Sequence, residues 1–240
     1  MKNYLLGSVR PSLKIWEPWT GAGDASDPLG KAQVYEQMYA LSRNSAKKYL
    51  AGEWEEIKFT APVLDARFFQ IALWYLIKEL WYKEPCNILV MGSDTLFIRP
   101  TEIFGKFNEM RMFNYSDPKH LTEVPHNFNA DVIYYPATMD PRVWEMGERR
   151  MGDWLSHEDS DWALGQHILN SMIWSQGISV EEMLKPEYAW QVLGQEIEQA
   201  ERWNNCSLDN ATLLHFHGSR GNESRLDSMK SFAEHYDCQV

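Results

Sequence analysis

Asn87–Phe104, NILVMGSDTLFIRPTEIF, is the stretch on which the fold turns. Its first five residues, Asn87 to Met91, read as one continuous apolar run. A strand wetted on one face alternates apolar and polar side chains, so an unbroken run predicts a central strand covered on both faces, as in a parallel sheet packed between helices. The run ends at Gly92, Ser93, Asp94 and Thr95, and a second apolar segment, LFIRP, follows. In open α/β sheets ligands bind beyond the carboxyl ends of the strands, which is where Asp94 stands. Position alone leaves two readings of Asp94: a ligand-binding carboxylate, or a turn residue bonding its own backbone.

Working outward, Lys2 to Val9 reads as a first strand, and the Pro/Gly/Asp-rich stretch Arg10 to Gly30 as a long loop carrying Trp16 and Trp19. Val34, Met38, Leu41, Ala46 and Leu50 recur at helical spacing over Lys31 to Ala51, with Gly52 as the stop. A strand over Glu55 to Thr60 comes next. Asp65 is placed to cap a helix over Ala66 to Lys83, about 27 Å long at 1.5 Å per residue, and Pro85 bounds it. The first hundred residues thus alternate strand and helix, which predicts an α/β fold with a mostly parallel central sheet and helices on both faces. Beyond them, Met110 to Tyr115, Phe128 to Tyr135 and Ala211 to His217 read as strands, and Pro141 to Met151 and Asp161 to Trp174 as helices. No repeat and no Pro/Ser-rich linker interrupts the chain, so one domain over residues 1–240 is expected.

The 240 residues are 44% hydrophobic, which excludes a disordered or collagen-like chain. Eleven Trp, eleven Tyr and ten Phe supply a large apolar payload, and an aromatic core is expected for most of them. Trp162 and Trp174 read as core by spacing, with an acceptor platform as the other reading. A net charge of -11 repels polyphosphate backbones and anionic lipid. General nucleic-acid binding is therefore not expected, and a phosphate-bearing ligand needs a local cation. Cys86, Cys206 and Cys238 form no Cys-x-x-Cys pair and are expected to be reduced. The start MKNYLLGSVRPSLK carries no apolar run long enough for a signal peptide, and no stretch reaches the length of a membrane span. A soluble, cytoplasmic protein is expected, in which the sequons at Asn114, Asn205, Asn210 and Asn222 are chance.

Four segments in order carry a family resemblance. NILVMGSDTLFIRPTEIF resembles the strand and metal-binding Asp-x-Asp-Thr-Leu motif of the glycogenin-like nucleotide-sugar glycosyltransferases. FNADVIYYP, Phe128 to Pro136, resembles their Phe-Asn-Ser-Gly-Val segment. GQHILN, Gly165 to Asn170, is similar to their Asp-Gln-x-x-Leu-Asn helix, and LLHFHG, Leu213 to Gly218, to their closing His-Phe-x-Gly strand. The chain departs from the family at three places: Gly92 replaces the first Asp of the pair, Asp131 the Gly of the second motif, and Gly165 the Asp of the third.

The resemblance implies a GT-A type fold and sugar transfer from a nucleotide-sugar donor, a UDP-sugar, with a lean toward a retaining hexosyltransferase. It implies that Asp94 and His215 ligate Mn²⁺, or Mg²⁺, whose charge offsets that of the departing nucleoside diphosphate. His217, of opposite strand parity to its neighbour, is the poorer ligand. Arg67, early in its helix, is the expected cation for the donor phosphates, with Arg220 as a second and Ser93 and Asn129 beside them. Asn129 and Asp131 share parity on their strand, so both can face one side. Asp161, one turn before Gly165, is placed to substitute for the lost carboxylate, so Asp161, Gln166 and Asp131 are the expected catalytic residues; an acidic run favouring a helix N-terminus is the plainer reading of Asp161. Gly92 and Gly165 equally suit a catalytically inactive relative that binds a nucleotide sugar or glycan. A nucleotidyltransferase is a third reading, for which GAGDASDPLG is a faint phosphate loop.

Overall fold

A computed structural model of the chain describes residues 1–9, 28–60, 66–115, 128–155, 164–177, 186–192, 197–216 and 222–238. In chain order the elements are β1 (Lys2–Ser8), α1 (Pro28–Tyr49), β2 (Glu55–Phe59), α2 (Ala66–Lys83), β3 (Cys86–Gly92), β4 (Thr95–Phe97), β5 (Arg111–Tyr115) and β6 (Phe128–Tyr135). They continue with α3 (Arg142–Leu155), α4 (Leu164–Ser175), β7 (Trp190–Val192), α5 (Ile197–Asn204), β8 (Leu213–Phe216) and α6 (Asn222–His235). Five strands form the main sheet in the order β2-β1-β3-β6-β5. β1 is parallel to β2 and to β3, while β6 runs antiparallel to both β3 and β5, so β6 alone opposes the rest.

β3 is the centre of this sheet and every one of its residues is buried, as its unbroken apolar run requires. Its one polar member within the apolar span is satisfied: Asn87 donates to Asn3 Oδ1 at 2.9 Å and accepts from the Ala137 amide at 2.9 Å. Alternate residues serve opposite faces. Leu6, Ile88, Val90, Ile133 and Tyr135 pack with Trp74, Trp81, Trp144 and Met172 of α2, α3 and α4. Leu5, Leu89, Met91, Val132 and Tyr134 pack on the other side with Ala46 of α1 and with Phe97 and Leu213.

Among the described residues many of the aromatic side chains belong to the core. The Trp144 ring stacks on Tyr135 at 5.4 Å between centroids, with Trp74 edge-on at 5.5 Å. The Trp81 indole donates to Pro136 O at 2.9 Å, which lets a polar ring edge be buried without penalty. Trp174 is a correction to its spacing, for it is 37% exposed on α4; Trp16, Trp19 and Trp162 lie outside the described residues. The three cysteines are free thiols, and burial pushes that of Cys86 up to about 11.

α1 begins at Pro28, so the expected loop to Gly30 runs too long. Proline is well suited to a first helical turn, where its missing N–H would have no partner. Gly52, at φ 92°, turns the chain after α1 in a conformation that glycine adopts without strain. A second, small sheet, β4-β8-β7, stands apart from the first, and neither β7, α5 nor α6 was anticipated from the sequence. β4 and β8 are antiparallel, β7 and β8 parallel. This sheet packs with α1, α5 and α6 through Met38, Leu96, Trp190, Ala200, Leu214, Phe216, Leu226 and Met229.

Candidate functional site

β3 leaves the main sheet at Gly92, turns through Ser93 and Asp94, and enters β4 of the small sheet at Thr95. Hydroxyls from α1 hold this crossing. Thr95 Oγ1 donates to Gly92 O at 2.9 Å and lies 3.1 Å from Ser42 Oγ, while Ser45 Oγ accepts from the Phe97 amide at 2.9 Å. β8 then locks Asp94 from the other side, with the Phe216 amide donating to Asp94 O at 2.9 Å and Thr95 in register with His215. Thr95 and His215, 120 positions apart in sequence, are thereby joined at the carboxyl end of β3.

The side chains meet there as well. The two Asp94 oxygens face different partners: Oδ1 lies 3.8 Å from His215 Nε2, and Oδ2 accepts from Arg225 Nη1 at 2.5 Å. The exposed fractions are 13% for the Asp94 side chain, 2% for His215 and 18% for Arg225, so the pair is well shielded but open at one side. A charge-assisted contact of this length in shielded surroundings is among the stronger polar interactions. Arg225 belongs to the first turn of α6 and is the residue that sequence reasoning missed, having sought a cation at Arg220 in the preceding segment. The apolar spacing of Leu226, Met229 and Ala233 would have marked the helix, yet nothing local marks the arginine as a partner of Asp94.

The remaining expected residues fall as follows. Ser93 is buried in the turn beside Asp94. Asn129 and Asp131 lie on the first half of β6, which is antiparallel to β3 with Val132 opposite Met91, so their positions sit at the same edge of the sheet as Gly92. Arg67 lies in the first turn of α2, which follows β2, a strand parallel to β3, and so starts from that edge too. Gln166 is in the first turn of α4. Asp65, Asp161, His217 and Arg220 lie outside the described residues.

A resident divalent ion needs several oxygen or nitrogen ligands close to it, six of them near 2.0–2.1 Å for Mg²⁺. The donor set here does not suit one. Asp94 and His215 are brought together as the resemblance implies, but the second carboxylate is Gly92, and a guanidinium already occupies Asp94 Oδ2. Among the described residues no group of three or more His, Cys, Asp or Glu is arranged to hold a metal. An arginine seated on Asp94 also repels a second cation at short range.

No protein-family model and no curated protein sequence matches the chain. Solved structures do. A glycosyltransferase involved in the glycosylation of the major capsid of PBCV-1 aligns at 10% identity and a TM-score of 0.54, over 96% of this chain and 100% of that one. The bifunctional glycosyltransferase WbbM aligns at 10% identity and 0.54 over 99% of this chain, which spans about half, 52%, of its length. GlyE from Streptococcus pneumoniae TIGR4 aligns at 12% identity and 0.51, with 99% of this chain covering 63% of that one. The architecture, a mostly parallel α/β sheet with one reversed strand, is that of the GT-A glycosyltransferases.

Proposed function

We propose that the chain transfers a sugar from a nucleotide-sugar donor, a UDP-sugar by its motif resemblance, to an acceptor. In such a step the bond from the sugar's anomeric carbon to the β-phosphate oxygen breaks and a bond to the acceptor oxygen forms. The acceptor proton leaves and a nucleoside diphosphate departs with added negative charge. The observation that carries the reading is the Asp94, His215 and Arg225 cluster at the carboxyl end of the central strand of a GT-A fold. The diphosphate lies against this cluster and Ser93. The sugar reaches toward Asn129, Asp131 and Gln166, with Arg67 as a further phosphate cation. Asp161 and Arg220 complete the set of proposed contacts, and a hexosyl donor with retention is the finer form of the proposal.

Release of the nucleotide from a panel of donors, UDP or GDP from the diphosphate-linked sugars and CMP from the CMP-linked ones, tests it. Steady release with at least one donor, lost in Asp131→Asn together with Gln166→Ala, is the expected outcome; no release with any donor overturns transfer. A non-catalytic binder of nucleotide sugars is the second reading, favoured by Gly92 and Gly165 in place of two family carboxylates. It is distinguished by saturable nucleotide binding without release. A metal-assisted form, with Mn²⁺ or Mg²⁺ held by Asp94 and His215, is not part of the proposal, because the donor set at Asp94 does not suit a resident divalent ion.

A further inference from the structure

We infer that Arg225, held in place by Asp94, is the built-in cation that neutralises the donor diphosphate, standing where the motif resemblance puts a divalent ion. The inference deepens the nucleotide-sugar reading and rests on it.

Three observations carry it. Asp94 engages Arg225 through one oxygen only, by a 2.5 Å contact with Nη1, which spends one of the guanidinium's five N–H donors. Among the described residues Arg225 Nε is buried with no hydrogen-bond partner, an arrangement that costs free energy unless an acceptor arrives. On the small sheet Gln191 is in register with His215 on the parallel neighbour strand; its backbone is clamped by Asn204, yet its Nε2 is likewise buried and unpartnered. One unmet N–H group thus belongs to the guanidinium that meets Asp94, and a second to the residue in register with His215 on the next strand. A divalent cation offers such groups nothing, whereas the oxygens of a diphosphate are acceptors and suit a planar guanidinium that can bind two at once. The carboxylate fits the same account, because it aims the guanidinium while the guanidinium cancels its charge toward an incoming anion. In a chain of net charge -11, a tethered cation supplies locally what the whole molecule withholds.

Calorimetric titration of the full chain with UDP, GDP and CMP, each in chelator and in excess Mn²⁺, tests the inference. The matched free nucleoside is titrated alongside. We expect UDP or GDP, and not the monophosphate CMP, to bind in chelator with an affinity that Mn²⁺ changes by less than threefold. Arg225→Met should weaken that nucleotide about tenfold to a hundredfold, the range for a lost charged hydrogen bond, and leave the nucleoside unchanged. A merely structural arginine would lower both alike. Arg225→Lys, which keeps the charge on a single-point donor, should fall between, and guards against misfolding of the methionine variant. Asp94→Asn should cost no more than about tenfold, since an amide oxygen still accepts from the guanidinium. Nucleotide binding that requires Mn²⁺ and vanishes in Asp94→Asn overturns the inference and leaves sugar transfer standing. Absence of binding under every condition overturns the nucleotide-sugar reading itself, and the inference with it.

Discussion

Glu56, on β2, shows how pairing outweighs burial at one residue. Burial raises its carboxyl, but hydrogen bonds from Arg43 Nε at 2.6 Å and Tyr39 Oη at 2.8 Å prevail, and the net shift is downward. A carboxylate whose folded value lies below its unfolded one contributes stability above the unfolded value, and this is lost as pH falls through the folded value. Stability should therefore decline below about pH 4.5, near the ordinary glutamate range. Arg43 is 41% exposed, so solvent screening limits the contribution to about 1 kcal/mol or less. Urea unfolding at pH 7 and pH 3.5 measures it: Glu56→Gln should flatten part of the difference, and an unaltered pH slope removes the claim. At this scale the identities of Asp94 and His215 were legible, because a carboxylate after a buried strand and a His-Phe strand each carry a local pattern. Arg225 was not, for its meaning is a contact across 131 positions.

Among the elements, β1 and α1 meet through a close approach that depends on one missing side chain. A Cβ on Gly7 would lie 2.1 Å from Tyr39 Cε2, and the ring has little freedom to yield because its hydroxyl is bonded to Glu56. Gly7→Ala should cost about 1–3 kcal/mol by overpacking. For a chain of this size that lowers the melting temperature by roughly 2–4 °C per kcal/mol. Differential scanning calorimetry checks it, and an unshifted transition would show that the α1–β1 contact is looser than described. Periodicity alone sufficed for α2 and β6, whose observed bounds coincide with those expected, since a long apolar face and a Phe-to-Tyr strand each end at clear breakers. It failed for β7, three residues long, because so short a strand has no period to read and exists only through its pairing with β8.

For the whole molecule, ligand binding should appear as stability, because a ligand that prefers the folded state shifts the unfolding equilibrium. At a concentration about 100 times its dissociation constant, UDP should add roughly 2.7 kcal/mol. That corresponds to a rise of about 5–10 °C, readable by thermal shift. A flat response to UDP, GDP and CMP at saturating concentrations counts against the proposed function. Among the described residues no helix is long and apolar enough to cross a membrane, which agrees with the low hydropathy of the sequence as a whole.

The alternation of strand and helix, the doubly covered central strand and the place of Asp94 at its end were determined by the sequence itself. They follow from the spacing of apolar side chains, which neighbours along the chain are enough to express. Only the tertiary structure decided that β4, β7 and β8 form a separate sheet and that the cation on Asp94 is Arg225. Those are pairings between distant segments, selected by the register of β8 against β4 and the seating of α6, and no local pattern encodes which of many charged side chains a carboxylate will meet.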